Sequence, residues 1–252
     1  MNELISIITP SFNSSRFISQ TIDSVLSQNY DKWEMIIVDD ASEDKSNKIV
    51  EEYIKKDSRI KLIKLKINSG PSEARNRAIE IAKGRYIAFL DADDVWFPEK
   101  LKKQISFMEE YKLSFTYTSY NIINEQNKYM DVFKVKETID YSSMLKSCSV
   151  GCLTAIYDTN ILGKLFMPII SKRQDYGLWL MILKKIKTTK GIVEPLASYR
   201  IHKNSLSFNK LKASRYQWKI YREIEKLSLL RSAYYFIHYA YAGIKKHNIK
   251  GR

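Results

Sequence analysis

The segment Tyr86-Ile-Ala-Phe-Leu-Asp91-Ala-Asp93-Asp94 carries an apolar, strand-like run into a cluster of carboxylates. Alternate side chains leave a strand on the same face, so Asp91 and Asp93 emerge together from its end. Paired hard oxygen ligands suit Mg2+ or Mn2+, ions that take a few carboxylates and fill their other positions from water and phosphate. A nucleotide diphosphate would supply that phosphate. Asp also favours turns, so an acidic turn without chemistry competes with this reading. Asp39 and Asp40 follow a second apolar run, Trp33 to Val38. They pose the same choice between ligand contact and a helix start that attracts carboxylates anyway. Asp175 precedes the apolar run Leu178 to Leu183 and stands at a helix start. By itself it reads as a capping carboxylate or as a general base kept ionised by the helix dipole.

The elements that must position these groups alternate in type. Leu4 to Thr9, Trp33 to Val38, Ile60 to Leu65 and Tyr86 to Leu90 read as strands, with helices over Arg16 to Gln28, Ser42 to Lys55 and Ser72 to Lys83. This βαβ order predicts an α/β fold, Rossmann-like, with a mostly parallel central sheet and flanking helices. In such sheets ligands bind beyond the carboxyl ends of the strands. The residues there are Pro10 to Asn13, Asp39 and Asp40, Asn68 to Gly70, and Asp91 to Asp94. Pro98 suits the first turn of a further helix. From Leu113 the alternation loosens, with strand-like Ser114 to Tyr120 and Leu153 to Tyr157. No long Pro, Gly or Ser linker interrupts the chain, which predicts one domain over 1–210 and a C-terminal helical tail over 211–252.

With 252 residues, 44% hydrophobic and 28% charged, the chain can bury roughly three quarters of its unfolded surface without disulfides. Cys148 and Cys152, without a second pair or nearby histidines, make a poor zinc site and read as structural thiols in a reducing compartment. Met1 to Thr9 lacks the basic and apolar regions of a signal peptide, so a cytoplasmic location is expected. A net charge of +14 calls for an anionic partner. The basic residues are dispersed and no base-reading motif accompanies them, which favours a phosphorylated substrate or anionic lipid over nucleic acid. The eight glycines form neither G-x-G-x-x-G nor a Walker loop, which argues against a dinucleotide-binding dehydrogenase or a P-loop enzyme.

Six blocks together resemble glycosyltransferase family 2. They are Ser6-Ile-Ile-Thr-Pro10-Ser-Phe12-Asn13, Ile36-Ile-Val38-Asp39-Asp40-Ala-Ser42-Glu-Asp44 and Asn68-Ser-Gly70-Pro-Ser-Glu-Ala74-Arg75-Asn76. Gly84-Arg-Tyr86-Ile-Ala-Phe-Leu-Asp91-Ala-Asp93-Asp94, Gln174-Asp175-Tyr176-Gly-Leu-Trp179-Leu and Tyr199-Arg200-Ile-His202-Lys-Asn-Ser205-Leu-Ser207 complete the set. The resemblance implies a GT-A-type fold and a metal-dependent, inverting transfer of sugar from a nucleotide diphosphate sugar, UDP-linked, to an acceptor hydroxyl. Residues 1–115 would form the donor half and 116–210 the acceptor half.

On the same resemblance, Pro10, Phe12, Asn13 and Asp40 would hold the nucleotide, with the Asp40 carboxylate accepting a uracil-like N–H. Asp91 would contact the ribose or a metal-bound water, and Arg75 would reach the nucleotide from the adjoining rim. Asp93 would ligate Mn2+ or Mg2+, His202 would add a metal or diphosphate contact, and Asp175 would be the catalytic base. Gln174 stands where the family usually carries Glu.

Two other readings are open. Asp91-Ala-Asp93-Asp94-Val95 also fits the D-x-D-x-V pattern of haloacid-dehalogenase-like phosphatases, in which Asp91 would be the nucleophile, although three βα units precede it here. A non-catalytic carbohydrate binder is the other. In the tail, Tyr216, Ile220, Ile224, Leu227, Leu230, Tyr234, Ile237, Tyr241 and Ile244 recur at steps of three and four, predicting one apolar helical face. It would pack on the main domain or, with Tyr235, Tyr239, Lys245, Lys246 and Lys250, lie on an anionic membrane beside a lipid-linked glycan acceptor. Leu229 to Ile244 is too short to span a bilayer.

Overall fold

Four strands form the parallel half of the central sheet, three of them apolar runs buried on both faces and the edge strand only half-buried. They are β1 (Ile5–Ser11), β2 (Trp33–Asp39), β3 (Ile60–Lys64) and β4 (Tyr86–Phe89). Between them lie α1 (Ile18–Leu26), α2 (Ser46–Ile54) and α3 (Pro71–Ile81). The computed structural model describes residues 3–202 and 210–250, the side chains of 210–213 and 242–250 excepted. Thus the Lys203 to Ser207 portion of the last sequence block, and Ile244, Lys245, Lys246 and Lys250 as side chains, lie outside the described residues.

The chain continues through β5 (Val95–Trp96), α4 (Lys100–Glu110), β6 (Phe115–Thr116), β7 (Thr118–Ile123), β8 (Tyr129–Phe133), β9 (Thr138–Asp140) and α5 (Tyr141–Lys146). Next come β10 (Ile156–Asp158), α6 (Thr159–Leu162), α7 (Gln174–Ile186), β11 (Thr188–Lys190) and β12 (Ile192–Arg200). The central sheet has the order β3-β2-β1-β4-β10-β6, with β10 antiparallel to both of its neighbours. A second sheet, β5-β12-β7-β8, stands beyond the carboxyl end of β4, and β11 pairs with β9 in a short ribbon.

Alternation along β4 divides the core. Ile87 and Phe89 face one apolar cluster with Ala74 and Ala78 of α3 and Trp179 and Leu180 of α7. Tyr86, Ala88 and Leu90 face a second cluster with Ile18 and Ile22 of α1 and Leu101 and Ile105 of α4. Each such side chain contributes about 1.5–3 kcal/mol on full burial. Trp179 meets Phe89 edge-on at 5.4 Å and stacks on Phe115 at 5.2 Å, which presses α7 against the sheet. Gly84 is required where the chain enters β4, because a Cβ would come within 2.5 Å of the Ser6 backbone nitrogen.

Two sequence expectations shift. Pro98 lies just outside α4, whose N-cap is Glu99, so it precedes the helix and its carbonyl accepts from the Asn29 N–H. The tail is not one helix with one face. It runs as α8 (Lys210–Lys219), a π-helical turn (Ile220–Ile224) and α9 (Leu229–Lys250), broken where Lys226 takes a φ of 52°. The break changes the helical phase. Ile220 and Tyr221 are buried, whereas Leu230, Tyr234, Ile237 and Tyr241 are exposed. Among the described residues, no helix is long and apolar enough to cross a membrane.

Candidate active site

The carboxyl ends of the adjacent strands β2, β1 and β4 bring the first sequence candidates to one rim. Asn13 has a φ of 46°, a left-handed conformation that Asn tolerates. Its N–H donates to Ser42 Oγ and its Oδ1 accepts from the Glu43 N–H, which ties the loop after β1 to the loop after β2. Pro10 is half-buried at the end of β1, and Phe12 projects beyond it with 51% exposure.

Asp40 is buried, and its two oxygens accept the backbone N–H groups of Ser69 and Gly70 at 2.7 and 2.8 Å. Gly70 holds a φ of 87° as the residue before α3, which a side chain would disfavour. The third sequence block is thereby locked to the second. Each Asp40 oxygen keeps a lone pair beyond its backbone bond. Asp39 Oδ2 accepts from the Ser42 N–H and the Asn47 amide, while its buried Oδ1 has no partner among the described residues.

Arg75, almost wholly buried in α3, donates through Nη2 to Asp91 Oδ1. Its Nε and Nη1 have no hydrogen-bond partner among the described residues. Burial opposes the guanidinium charge, but Asp91, Cys152 and Asp175 outweigh that and hold its proton more firmly than usual. Asp175 lies in the first turn of α7. Burial pushes its carboxyl above the ordinary range, against the pull of Arg75, the Tyr176 N–H and Arg173, with Asp91 adding to the rise. Asp91, Arg75 and Asp175 therefore share one electrostatic neighbourhood, although they come from the turn after β4, from α3 and from α7.

Asp93 Oδ2 and His202 Nε2 are 2.7 Å apart. Burial raises the Asp93 carboxyl, Asp91 repels it further, and His202 opposes both. The residue that holds this corner together is Arg200, whose buried role the sequence did not reveal. It is fully buried, with Nε donating to the Asp93 carbonyl at 2.7 Å, Nη1 to Asn127 Oδ1 at 2.6 Å and Nη2 to Gln20 Oε1 at 2.9 Å. Its backbone N–H donates to Asp94 Oδ1. Asp94 is buried with Oδ2 unpartnered among the described residues, and burial, Asp93 and Asp91 raise its carboxyl well above normal. The end of β12 is thus fastened to the acidic turn after β4, with His202 two residues further on.

Three carboxylates in four positions repel one another, which is the condition a divalent cation relieves. Asp93 supplies the hard oxygen donor that Mn2+ and Mg2+ take, and His202 Nε2 a nitrogen donor that suits Mn2+ better than Mg2+. Among the described residues, no three His, Cys, Asp or Glu side chains group closely enough to enclose an ion unaided. The donor set fits an ion whose other ligands come from water and a diphosphate.

The Ser72 and Asn76 positions in the third block are structural. Ser72 Oγ donates to the Ile170 carbonyl at 2.7 Å, and Asn76 Oδ1 and Nδ2 bond the Met167 N–H and carbonyl. They pin the loop that leads to Asp175. Gly177 of α7 lets Pro168 from that loop pack close, since a Cβ would meet Pro168 Cγ at 2.6 Å. Gln174 is buried, with Oε1 unpartnered among the described residues.

The family model for glycosyl transferase family 2 matches residues 6–157. The chain is 44% identical to a Bacillus subtilis protein described as a putative teichuronic acid biosynthesis glycosyltransferase, TuaG, over 96% of this chain and 97% of that one. It is 41% identical to the Escherichia coli enzyme WfgD, described as a UDP-Glc:alpha-D-GlcNAc-diphosphoundecaprenol beta-1,3-glucosyltransferase, over 97% and 95% of the two chains. Residues 1–349 of Staphylococcus aureus TarS, solved with UDP, superpose with a TM-score of 0.68 at 21% identity, covering 94% of this chain and 70% of that fragment. The mannosyltransferase PcManGT of Pyrobaculum calidifontis, solved with GDP-Man and Mn2+, superposes at 0.70 with 16% identity, again over 94% and 70%. At those identities the superpositions speak for the fold. Sequence blocks, sheet order and near full-length relatives converge: the chain belongs to glycosyltransferase family 2 and is a glycosyltransferase of GT-A fold.

Proposed function

We propose that this enzyme moves a sugar from a UDP-sugar to an acceptor hydroxyl with inversion, during assembly of a lipid-linked cell-surface glycan. The observation that carries the proposal is the shared neighbourhood of Asp91, Arg75 and Asp175 beside the Asp93–His202 pair. On this reading the diphosphate would lie near a carboxyl whose proton affinity burial raises. The names of TuaG and WfgD support a surface-glycan setting, and the WfgD name supports UDP-glucose and a diphosphoundecaprenol-linked acceptor.

In this reading Pro10, Phe12, Asn13 and Asp40 hold the nucleotide base, and Asp40 accepts its imide N–H through a free lone pair. Arg75 and Asp91 orient the ribose and diphosphate. Asp93 and His202 would hold Mn2+ or Mg2+, which would supply positive charge to offset that of the departing diphosphate. Asp175 accepts the proton of the acceptor hydroxyl as that oxygen attacks the anomeric carbon, and its raised proton affinity makes it a stronger base. Attack opposite the leaving group in one step inverts the anomeric centre. Residues 1–115 serve the donor and 116–210 the acceptor, with 211–252 as a helical tail.

The tail supports a peripheral position at the cytoplasmic face of a membrane. Leu229, Leu230, Tyr234, Ile237 and Tyr241 form an exposed apolar stripe on α9, and Lys146 lies over the Tyr234 ring at 5.7 Å. Apolar surface edged by cations on a strongly basic protein suits anionic lipid.

A panel of nucleotide sugars with Mn2+ or Mg2+, read by thermal shift and nucleotide release, tests the proposal. It requires UDP release that depends on acceptor. Release of another nucleotide, or none with any UDP-sugar, would overturn the UDP-donor reading.

A further inference from the structure

Arg173, two residues before Asp175, is the N-cap of α7 and has a φ of 62°. Left-handed backbone is unfavourable for a residue with a long side chain and persists where the surroundings impose it. Here the surroundings belong to the tail. Arg173 Nη1 donates to Gln217 Oε1 of α8 at 2.7 Å, and Nη2 donates to the Tyr239 hydroxyl of α9 at 2.6 Å. The guanidinium also lies 4.9 Å from the centre of the Tyr239 ring. Gln217 is buried, and Tyr235 and Phe236 on the inner side of α9 pack against the core cluster that contains Trp179. The carbonyl of Arg173 accepts from the Gly177 N–H and opens the helix. One side chain therefore joins both C-terminal helices to the turn from which Asp175 projects.

We infer that Arg173 is a positioning residue through which α8 and α9 fix the start of α7 and with it Asp175, making the tail part of the active site. The inference rests on the reading of Asp175 as base. The groups that act on the Asp175 carboxyl are Arg75 of α3, Asp91 after β4, Tyr120 of β7, Cys152 between α5 and β10, and Arg173 itself. Among them Arg173 pulls its proton affinity down. Loss of Arg173 should therefore disturb both the placement and the titration of the base, while leaving the base-binding residues at the other end of the donor untouched.

The test is a double-mutant cycle of Arg173→Gln and Asp175→Asn, with Arg173→Lys and Tyr239→Phe alongside, on the full chain with the UDP-sugar selected by the panel. Melting and UDP affinity are followed to verify folding. Arg173→Gln, which removes both charged hydrogen bonds to the tail, should lower kcat at least about ten-fold, with donor KM little changed. The acidic limb of its kcat profile should move to higher pH, and Arg173→Lys should return it part of the way. In the Asp175→Asn background Arg173→Gln should cost nothing further, because it acts through the missing carboxylate. Tyr239→Phe, which keeps the ring, should lower kcat several-fold, as expected for one hydrogen bond. An equal loss in both backgrounds, an unmoved acidic limb or an unchanged kcat in Tyr239→Phe overturns the inference while leaving Asp175 as base. Near-normal turnover of Asp175→Asn alone removes the base reading, and the inference with it.

Discussion

His202 Nε2 stands 2.7 Å from Asp93 Oδ2, although 109 positions separate the two residues in the chain. Arg200 creates this proximity by spending its guanidinium on the backbone and neighbours of the acidic turn, so that the strand end carrying His202 is fastened where Asp93 emerges. On the proposed function, an imidazole and a carboxylate held in this way would share one cation.

Asp93→Asn and His202→Ala should each abolish most of the benefit that Mn2+ brings to UDP binding. Loss of a supporting group at a metal site costs 10–100-fold in affinity, and a lost ligand should cost at least about ten-fold. Calorimetric titration of UDP with Mn2+ and with EDTA measures the difference. The same Mn2+ enhancement in the variants as in the parent would remove these residues from the metal site.

Lys100 gives stability a particular pH dependence. It is fully buried, with Nζ 2.5 Å from Gln104 Oε1 and 4.2 Å from the centre of the Trp96 ring. Burial pushes its ammonium well below the ordinary lysine value of 10.5. Between that depressed value and 10.5 the unfolded chain binds the proton that the folded chain has lost, so this group makes stability rise with pH, by up to about 1.4 kcal/mol per unit. Below the window both states are protonated and the slope vanishes. Cys152, whose thiol burial raises well above 9.0, and Tyr117 and Tyr120, whose hydroxyls burial raises above 10.0, act in the opposite sense at higher pH. Chemical denaturation from about pH 7 to about 8.5, below the range in which Cys152 counts, should show the slope in the parent and a flatter one in Lys100→Met.

The exposed stripe on α9 predicts binding to vesicles that contain anionic lipid. Leu230→Glu with Ile237→Glu, both changes on exposed positions, should reduce sedimentation with such vesicles at least about ten-fold while leaving the melting temperature within a degree or two. Unaltered sedimentation would mean that α9 is not the lipid-facing element.

The first half of the chain was legible because strands buried on both sides declare themselves as continuous apolar runs, and the turn residues after them fall on one rim. Asp40, Asp91 and Asp93 could be placed there from sequence order alone. The second sheet was hidden. Val95–Trp96 is only two residues long, and Ile192–Arg200 carries Glu194 and Pro195, which weaken any strand pattern. Arg200 and Arg173 were missed because an arginine is ordinarily a surface residue, and nothing local announces burial or a left-handed turn. Membership of the Tyr199-Arg200-Ile-His202 block was the one sequence signal for Arg200. The tail misled for a related reason, since a three-and-four repeat continues across Lys226 in sequence while the helix does not.

The central claim is that Asp175 removes the acceptor proton beside a separately built donor site, and Asp175→Asn tests it most directly. Single-turnover transfer and UDP affinity should be measured on the same preparation. The account predicts affinity within about two-fold of the parent and transfer slower by about 10²–10⁴-fold, the range for loss of a general base. Transfer at near-parental rate, with UDP still bound, would contradict it.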